Sequence, residues 1–142
     1  MDTKIQVTID VIVHATEDIT KFFSVFEKLF DIKQEKFFVQ NLTGHFDNAI
    51  TTLEVKLTKK DARKFVDKLV SKLPKEQHQE LLQSLEERIH NSAFHFRLNK
   101  QKLILGQLEL REKDSIKVKI FTPIYKKTDS TKIYTKLLKL TN

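Results

Sequence analysis

Residues 93–122 alternate apolar and polar side chains more strictly than any other stretch of the chain. Because successive residues of a strand point to opposite faces of a sheet, this alternation predicts a meander of three antiparallel strands. Its first and third strands would set Phe94, Phe96, Leu98, Ile116, Val118 and Ile120 against His95, Arg97, Asn99, Lys117 and Lys119, and its middle strand would carry Ile104, Leu108 and Leu110 on one face, with Gly106 between them. The pattern therefore predicts one apolar face that packs on helices and one mostly basic face that is open to a polyanion.

The remaining segments predict an α+β fold around the meander. Alternation indicates three more strands, over residues 4–14, 35–43 and 49–57, with the first near the centre of the sheet. The side chains expected in the core are Phe22, Phe26, Phe65, Leu69, Phe94, Phe96, Val118 and Ile120. We therefore expect a single domain over residues 1–142, with an antiparallel or mixed sheet of five or six strands and helices packed on one face.

Helix boundaries are indicated by capping residues and by proline. Thr16 or Asp18 can cap the first helix, whose aromatic stripe is typical of a core rather than of a base-stacking platform. Thr58 and Asp61 have the spacing of a capping box at the start of the second helix. Pro74 predicts a break before a third helix over 75–90, and one bent helix is the alternative. A short helix follows near the C-terminus.

Positive charge is concentrated in the last third of the chain. The formal net charge is +7, and residues 93–142 hold 12 Lys and Arg against 4 Asp and Glu. A basic segment of this kind favours nucleic acid or an acidic membrane surface as a partner, although a lysine-rich surface that is merely solvated has the same composition. No apolar run approaches the roughly 20 residues of a membrane span, and no cysteine or secretory signal is present, so we expect a soluble cytoplasmic protein with no membrane partner.

The sequence offers little catalytic or cofactor chemistry. Its two glycines cannot form a dinucleotide-binding fingerprint or a P-loop, and no H-E-x-x-H pair is present. His90 and His95 lack third and fourth zinc ligands. His14, Glu17 and Asp18 could be drawn as an acid/base cluster, but helix capping explains the two carboxylates more simply. We therefore expect no metal, no cofactor and no enzymatic activity.

The segment LTGHFDNAI joins the second and third predicted strands. Gly44 and the Asp47-Asn48 pair are typical of a hairpin turn. The side chains of His45, Asp47 and Asn48 can also bond phosphates, riboses or base edges, so a loop tip that contacts RNA is the alternative.

Four short motifs follow one another along the chain: HATED after the first strand, TGHFDNAI in the hairpin, LEER before the meander and FRLNKQKLILGQLEL within it. Together, over residues 5–125, they resemble the archaeal family of small proteins described as predicted RNA-binding exosome subunits. The family's loop and strand-end motifs fall on Gly44, His45, Phe46 and Asn48, and on Arg97, Leu98, Asn99, Lys100 and Gln101. The resemblance implies a fold similar to the large-subunit ribosomal protein that holds the 5S RNA. It also implies an RNA-binding role beside the exosome or in ribosome assembly.

Alternation and resemblance together predict an RNA-binding surface. It comprises Arg97, Lys100, Lys117 and Lys119, the loop residues His45 and Asn48, and an extension through Lys126 and Lys127. Few aromatic residues are candidates for base stacking, namely Phe46, Phe121 and Tyr125. Recognition of the backbone or shape of structured RNA is therefore expected rather than the reading of a single-stranded sequence.

Two other classes of function stay open. In the first, the protein is an interaction adaptor or homo-oligomeric scaffold within an RNA-processing complex, and the basic face packs on another protein or on a second copy. A ribonuclease is the more distant class. The sequence leaves open which RNA is bound, whether exosome or ribosome-associated proteins are partners, and what the oligomeric state is.

Overall fold

A six-stranded sheet is the framework of the computed structural model, which describes residues 4–43 and 49–139. The strands are β1 (Gln6–His14), β2 (Phe38–Thr43), β3 (Ala49–Thr58), β4 (Ile89–His90), β5 (Ala93–Asn99) and β6 (Ser115–Phe121). Their order across the sheet is β2-β3-β1-β6-β5-β4, and every adjacent pair is antiparallel. The expected α+β fold with an antiparallel sheet and a central first strand is confirmed.

The helices cover one face of this sheet. They are α1 (Ile19–Phe30), α2 (Lys59–Lys72), α3 (Lys75–Gln83), α4 (Lys100–Ile104) and α5 (Ser130–Leu137). In β1 the residues from Val7 to Val13 at odd positions are buried, whereas Gln6, Ile12 and His14 are exposed. We call the side that the helices leave open the outer face. Among the described helices, none has the length and apolar character needed to cross a membrane.

An apolar core lies between the sheet and the helices. All eight side chains expected there are at most 2% exposed. The aromatic stripe of α1 is part of this core, with the Phe30 ring 4.7 Å from that of Phe65 on α2. Full burial of such a side chain contributes about 1.5–3 kcal/mol. The prediction that the stripe is core rather than a stacking platform is confirmed.

The caps of α1 and α2 differ. Asp18 caps α1, where its Oδ1 accepts bonds from the Thr20 N–H (2.9 Å) and the Thr20 hydroxyl (2.6 Å). The capping box predicted at Thr58 is wrong, because the Thr58 side chain makes no cap hydrogen bond. Lys59 has a left-handed backbone conformation (φ 53°), and a capping box requires a regular first helical turn.

The chain breaks at Pro74 as predicted, but the helix that follows is shorter than expected. α3 ends at Gln83, and Ile89 and His90 form β4, which pairs with the start of β5. The turn between these strands uses Asn91 and Ser92, both with positive φ (52° and 65°). Pairing to the open edge of β5 overrides the helical propensity of this segment. The strand expected over 35–43 also starts late, since residues 34–36 form a 3₁₀ turn.

The prediction of a middle strand in the meander is wrong, because a short helix takes its place. The Asn99 side chain accepts a bond from the Lys102 N–H (3.1 Å) and caps α4, which buries Leu103 completely. Gly106, with φ 82°, then reverses the chain. The returning segment bonds to β5 only through single residues, including a bridge between Leu98 and Leu110. Helical capping and the burial of Leu103 therefore outweigh the alternating pattern.

Helix α5 is fastened to the sheet by a buried tyrosine. The Tyr134 ring stacks on Phe94 with 5.7 Å between the ring centroids. Its hydroxyl donates to the backbone oxygen of Ser92 (2.7 Å) and accepts from the Thr122 N–H (3.3 Å). The turn before β5 and the end of β6 are thus held to the same helix.

Candidate nucleic-acid interface

Basic side chains cluster on the outer face of β5 and β6. Arg97 lies opposite Lys117, and His95 lies opposite Lys119. Residues directly opposite on adjacent strands point to the same face. We call these four residues the basic strip.

The two lysines of the basic strip are available to a ligand. Lys117 and Lys119 are exposed, and within residues 4–43 and 49–139 no carboxylate lies within 4 Å of either ammonium group. A phosphate can therefore approach them without displacing an existing ion pair, which makes the strip suited to an anionic polymer.

The basic strip forms one side of an open groove of about 630 Å³. The other side is built by the segments around Arg88, His90 and Glu112. Glu112 positions both arginines: its carboxylate lies 3.5 Å from Nη1 of Arg88, and its backbone oxygen accepts from Nη1 of Arg97 (3.1 Å). The Arg88 Nε also donates to the Ser84 hydroxyl (2.7 Å). The guanidinium groups are thus held in place before any ligand arrives.

Two histidines line this groove, with ring centroids 5.8 Å apart. Burial lowers the pKa of His95, and the nearby His90 and Lys119 lower it further, against the opposing effect of a hydrogen bond with the His90 backbone. The His95 ring is therefore disposed to be neutral in the free protein, and a phosphate nearby would favour its charged form. In the described part of the chain, no three His, Asp or Glu residues are grouped so as to hold a metal ion.

A pair of carboxyl groups lies beside the basic strip. Asp10 on β1 is directly opposite Glu54 on β3, and its other neighbour across the sheet is Lys117. Burial, a hydrogen bond to Glu54 and the charge of Glu54 raise the pKa of Asp10, and the nearby lysines only partly offset them. The mostly basic face expected of the meander is present on β5 and β6, whereas the outer face of β1 and β3 is mixed, with Lys56 Nζ 3.9 Å from Glu54 Oε1. Alternation places Asp10 on the outer face, but strand order places it next to Lys117.

Lys100 does not belong to this surface. It is 1% exposed, and its Nζ donates to the Ile12 backbone oxygen (2.7 Å), Glu17 Oε1 (2.9 Å) and Asp114 Oδ1 (3.0 Å). The predicted RNA contact at Lys100 is therefore corrected. It failed because the chain enters α4 at this residue, which turns the side chain beneath the end of β1 instead of onto the outer face.

The carboxylates around Lys100 explain the acid/base cluster seen in the sequence. Burial acts to raise the pKa of Glu17, but hydrogen bonds from the His14 N–H (2.9 Å) and from Lys100 outweigh it, and the pKa is lowered. The hydrogen bond from Lys100 likewise lowers the pKa of Asp114, whose Oδ1 also lies 3.4 Å from Nε2 of His14. Glu17 thus binds Lys100 rather than capping α1, whereas Asp18 is a cap as expected.

Two of the other predicted contacts, Lys126 and Lys127, can be located in the structure. Lys126 and Lys127 are exposed and follow β6 beyond its last residue, Phe121. His45 and Asn48 lie outside the described residues.

The described residues on either side of that loop are at the far end of the sheet from Lys126. Phe121 pairs with Gln6, whereas Ile50, at the start of β3, pairs with His14. These two ends of β1 are about 26 Å apart at the usual rise of a strand. The structure therefore brings Arg97, Lys117 and Lys119 together and sets Lys126 and Lys127 far from the flanks of the loop.

Sequence reasoning missed three basic residues of the groove, Arg88, His90 and His95. His95 alternates with Arg97 on the polar side of its strand, so the same pattern that predicted Arg97 could have indicated it. Arg88 and His90 were hidden by the helix expected over 75–90, since only pairing with β5 turns this segment toward the groove.

Comparison with known proteins shows archaeal relatives of similar sequence and fold. RNA-binding protein PAB1135 from Pyrococcus abyssi (strain GE5 / Orsay) is 32% identical in an alignment 120 residues long that covers 77% of this chain and 78% of the relative. Protein AF2318 from Archaeglobus fulgidus, a DUF54 protein of known crystal structure, is 34% identical, with a TM-score of 0.79 over 93% of this chain and 97% of that one. Mth689, a DUF54 protein from Methanothermobacter thermautotrophicus, is 25% identical, with a TM-score of 0.76 over 94% and 97%. Residues 6–122 match the family described as RNA binding, and this chain therefore belongs to that archaeal DUF54 family.

Proposed function

We propose that this protein binds RNA through the basic strip and its groove, without catalysing a reaction. The observation that carries the proposal is the pair of exposed lysines, Lys117 and Lys119, beside the positioned guanidinium of Arg97. Exposed ammonium groups such as these, which hold no close ion pair among the described residues, bind phosphates and release counterions from them. Membership of a family described as RNA binding supports RNA as the polyanion.

Asp10 and Glu54, which we call the acid pair, set the path of the RNA backbone in this proposal. Asp10 and Glu54 repel phosphates from the middle of the sheet, so the backbone follows β5 and β6 along their length. Lys126 and Lys127, beyond the end of β6, extend that path. His45 remains a proposed contact, with Asn48, for an RNA long enough to reach the loop at the opposite end.

The placement of aromatic side chains favours structured RNA over the stacking of a single strand. Phe38 is 63% exposed, but it lies on β2, three strand spacings or about 14 Å from Lys117. Phe121 is partly buried, and Tyr125 (84% exposed) lies beyond the sheet. A continuous stacking platform beside the cations is thus missing from the described residues, and recognition of backbone and shape is the consistent mode.

The biological setting is proposed on the motif resemblance alone. It suggests RNA metabolism linked to the exosome or the ribosome, a fold similar to the 5S-RNA-binding ribosomal protein, and one domain over residues 1–142. Purification of the protein with and without nuclease treatment tests the link. Partners that persist after complete RNA digestion would favour the adaptor role instead.

The RNA proposal is tested by measuring affinity at several salt concentrations. If Arg97, Lys117, Lys119, Lys126 and Lys127 all meet phosphates, the logarithm of affinity should fall with that of salt with a slope of about −3.5 on a single strand. Lys117→Glu with Lys119→Glu should weaken binding at low salt and make the slope shallower by about 1.4. A hairpin RNA, its single-stranded form and the matching DNA duplex serve as probes.

A matched control makes the same charge change elsewhere. Lys132→Glu with Lys136→Glu alters two exposed lysines of α5, and affinity should change far less than with the strip variant. Circular dichroism should show both double variants folded. Equal losses in the two variants would mean that net charge alone drives binding, and an unchanged affinity in the strip variant would remove β5 and β6 from the interface.

A further inference from the structure

The edge strand β2 is unusually open. It pairs with β3 on one side, and in the described chain no element pairs with its other side. All six of its residues are exposed, among them Phe38 at 63%, Val39 at 43% and Leu42 at 45%. Its outward backbone groups are thus free to bond another strand.

The sequence of β2 has none of the usual protections of an edge. Natural edges are blunted by charged residues, by proline, by bulges or by being very short. β2 reads FVQNLT, with no charge and no proline, and it pairs with β3 in an unbroken register of six residues. The opposite edge strand, β4, has only two residues. Only β2 among the described edges is therefore long and apolar enough to accept a partner strand.

We propose that β2 pairs in antiparallel fashion with β2 of a second copy, about a twofold axis at Gln40. This register sets Phe38 opposite Leu42 of the second copy and Gln40 opposite its counterpart. All three residues share the outer face, because they alternate along the strand and Phe38 lies opposite Glu54. Two apolar pairs then flank an amide pair that can hydrogen-bond to itself.

A second copy fits this edge better than a charged peptide does. The strand offers no charge to an acidic or basic partner, whereas its pattern is complementary to itself about Gln40. The alternative axis at Asn41 would place Gln40 opposite Leu42 and leave Phe38 without an apolar neighbour.

The pairing has a consequence for the outer face. An axis perpendicular to the sheet keeps both outer faces on one side, so the two basic strips would lie on the same side of a continuous sheet. A contact limited to one six-residue strand is smaller than the roughly 1,200–2,000 Å² buried in stable complexes. The dimer should therefore dissociate on dilution. The proposal does not depend on RNA binding.

Sedimentation velocity over a range of protein concentrations, without RNA, tests the proposal. The wild type should associate reversibly, and Phe38→Lys or Leu42→Glu should each raise the dissociation constant at least tenfold. The double variant should regain affinity, because each new lysine would face a glutamate of the other copy. Within one strand these positions are about 13 Å apart, so they cannot neutralise each other in the monomer.

Leu105→Lys is the matched control, since Leu105 is 70% exposed on another part of the surface and should leave association unchanged. Thermal unfolding establishes that each variant is folded. A wild type that is monomeric up to about 1 mM would overturn the proposal and leave the edge to a different protein. A dimer insensitive to both single variants would overturn it as well. Failure of the double variant to recover would exclude the axis at Gln40.

Discussion

Replacing the buried Lys100 by methionine should destabilise the protein more than the same replacement of any exposed lysine. The ammonium group uses all three of its donors, on the Ile12 backbone oxygen, Glu17 and Asp114. It connects the end of β1 with the turn before α1 and the loop before β6. Methionine keeps most of the side-chain volume, so the change tests the charge and its bonds rather than packing.

The expected loss in the free energy of unfolding follows from how exposed each partner of Lys100 is. Removing one member of a buried ion pair costs about 3–5 kcal/mol. Here the side chains of Lys100 and Glu17 are 1% and 13% exposed, but that of Asp114 is 55% exposed and is solvated without its partner. Glu17 also keeps bonds from the His14 N–H (2.9 Å) and Gln101 Nε2 (3.1 Å). We therefore expect a loss of about 3 kcal/mol, or roughly 10 °C in Tm.

The loss should depend on pH in a defined direction. The folded-state pKa values of Glu17 and Asp114 are lowered from their ordinary 4.5 and 3.8. The stability that Lys100 confers through them is therefore present above these ordinary values and is lost as pH falls through the folded-state values. Urea unfolding should show the full difference between wild type and Lys100→Met at pH 7, and a difference that shrinks below about pH 4.

Two further variants separate this effect from others. Adding Glu17→Gln to Lys100→Met should restore part of the stability, because the unpaired buried carboxylate is removed. Lys60→Met, on the exposed surface of α2, should change the free energy of unfolding by no more than about 0.5 kcal/mol. If Lys100→Met unfolds within that same margin of the wild type at pH 7, the burial and pairing of this lysine are refuted.

Substitutions at three other positions carry distinct expectations. Asp10→Asn removes the like charge facing Glu54 and should stabilise the protein by about 0.2–1 kcal/mol at pH 7 in urea unfolding. Because the pKa of Asp10 is raised, the contribution of this one group to stability falls as pH rises above its ordinary 3.8, so the gain should vanish in acid; a gain that persists there would contradict the reasoning. The lowered pKa of His95 predicts that RNA binding takes up a proton near the ordinary histidine pKa of 6.5, which calorimetry in two buffers measures, and that His95→Gln reduces this uptake. Gly106→Ala should cost about 1–2 kcal/mol in thermal unfolding through its φ of 82° alone, because no atom lies within 4 Å of the added Cβ, and Gly106→Asn should cost less.

Much of the fold could be predicted because hydrophobic periodicity reports burial directly. Alternation in β1, β3, β5 and β6 identified which side chains face the helices, and all eight expected core residues are buried. The errors fall where local capping or edge pairing competes with periodicity. In the middle of the predicted meander, the Asn99 cap and the turn at Gly106 make a helix of a segment whose leucines also fit a strand. In the segment before β5, pairing to an open edge converts predicted helix into β4.

The candidate site likewise has features that the sequence predicted and features that it did not. The outward direction of Arg97, Lys117 and Lys119 was determined by the sequence, because side-chain direction in a strand follows from its period of two. The acid pair beside them, the groove closed by Arg88, and the burial of Lys100 were decided only by the tertiary structure. Strand order, edge pairing and the turn into α4 bring together residues as far apart in the chain as Glu17 and Lys100. Local periodicity determines which way a side chain points, whereas its neighbours depend on pairings between distant segments.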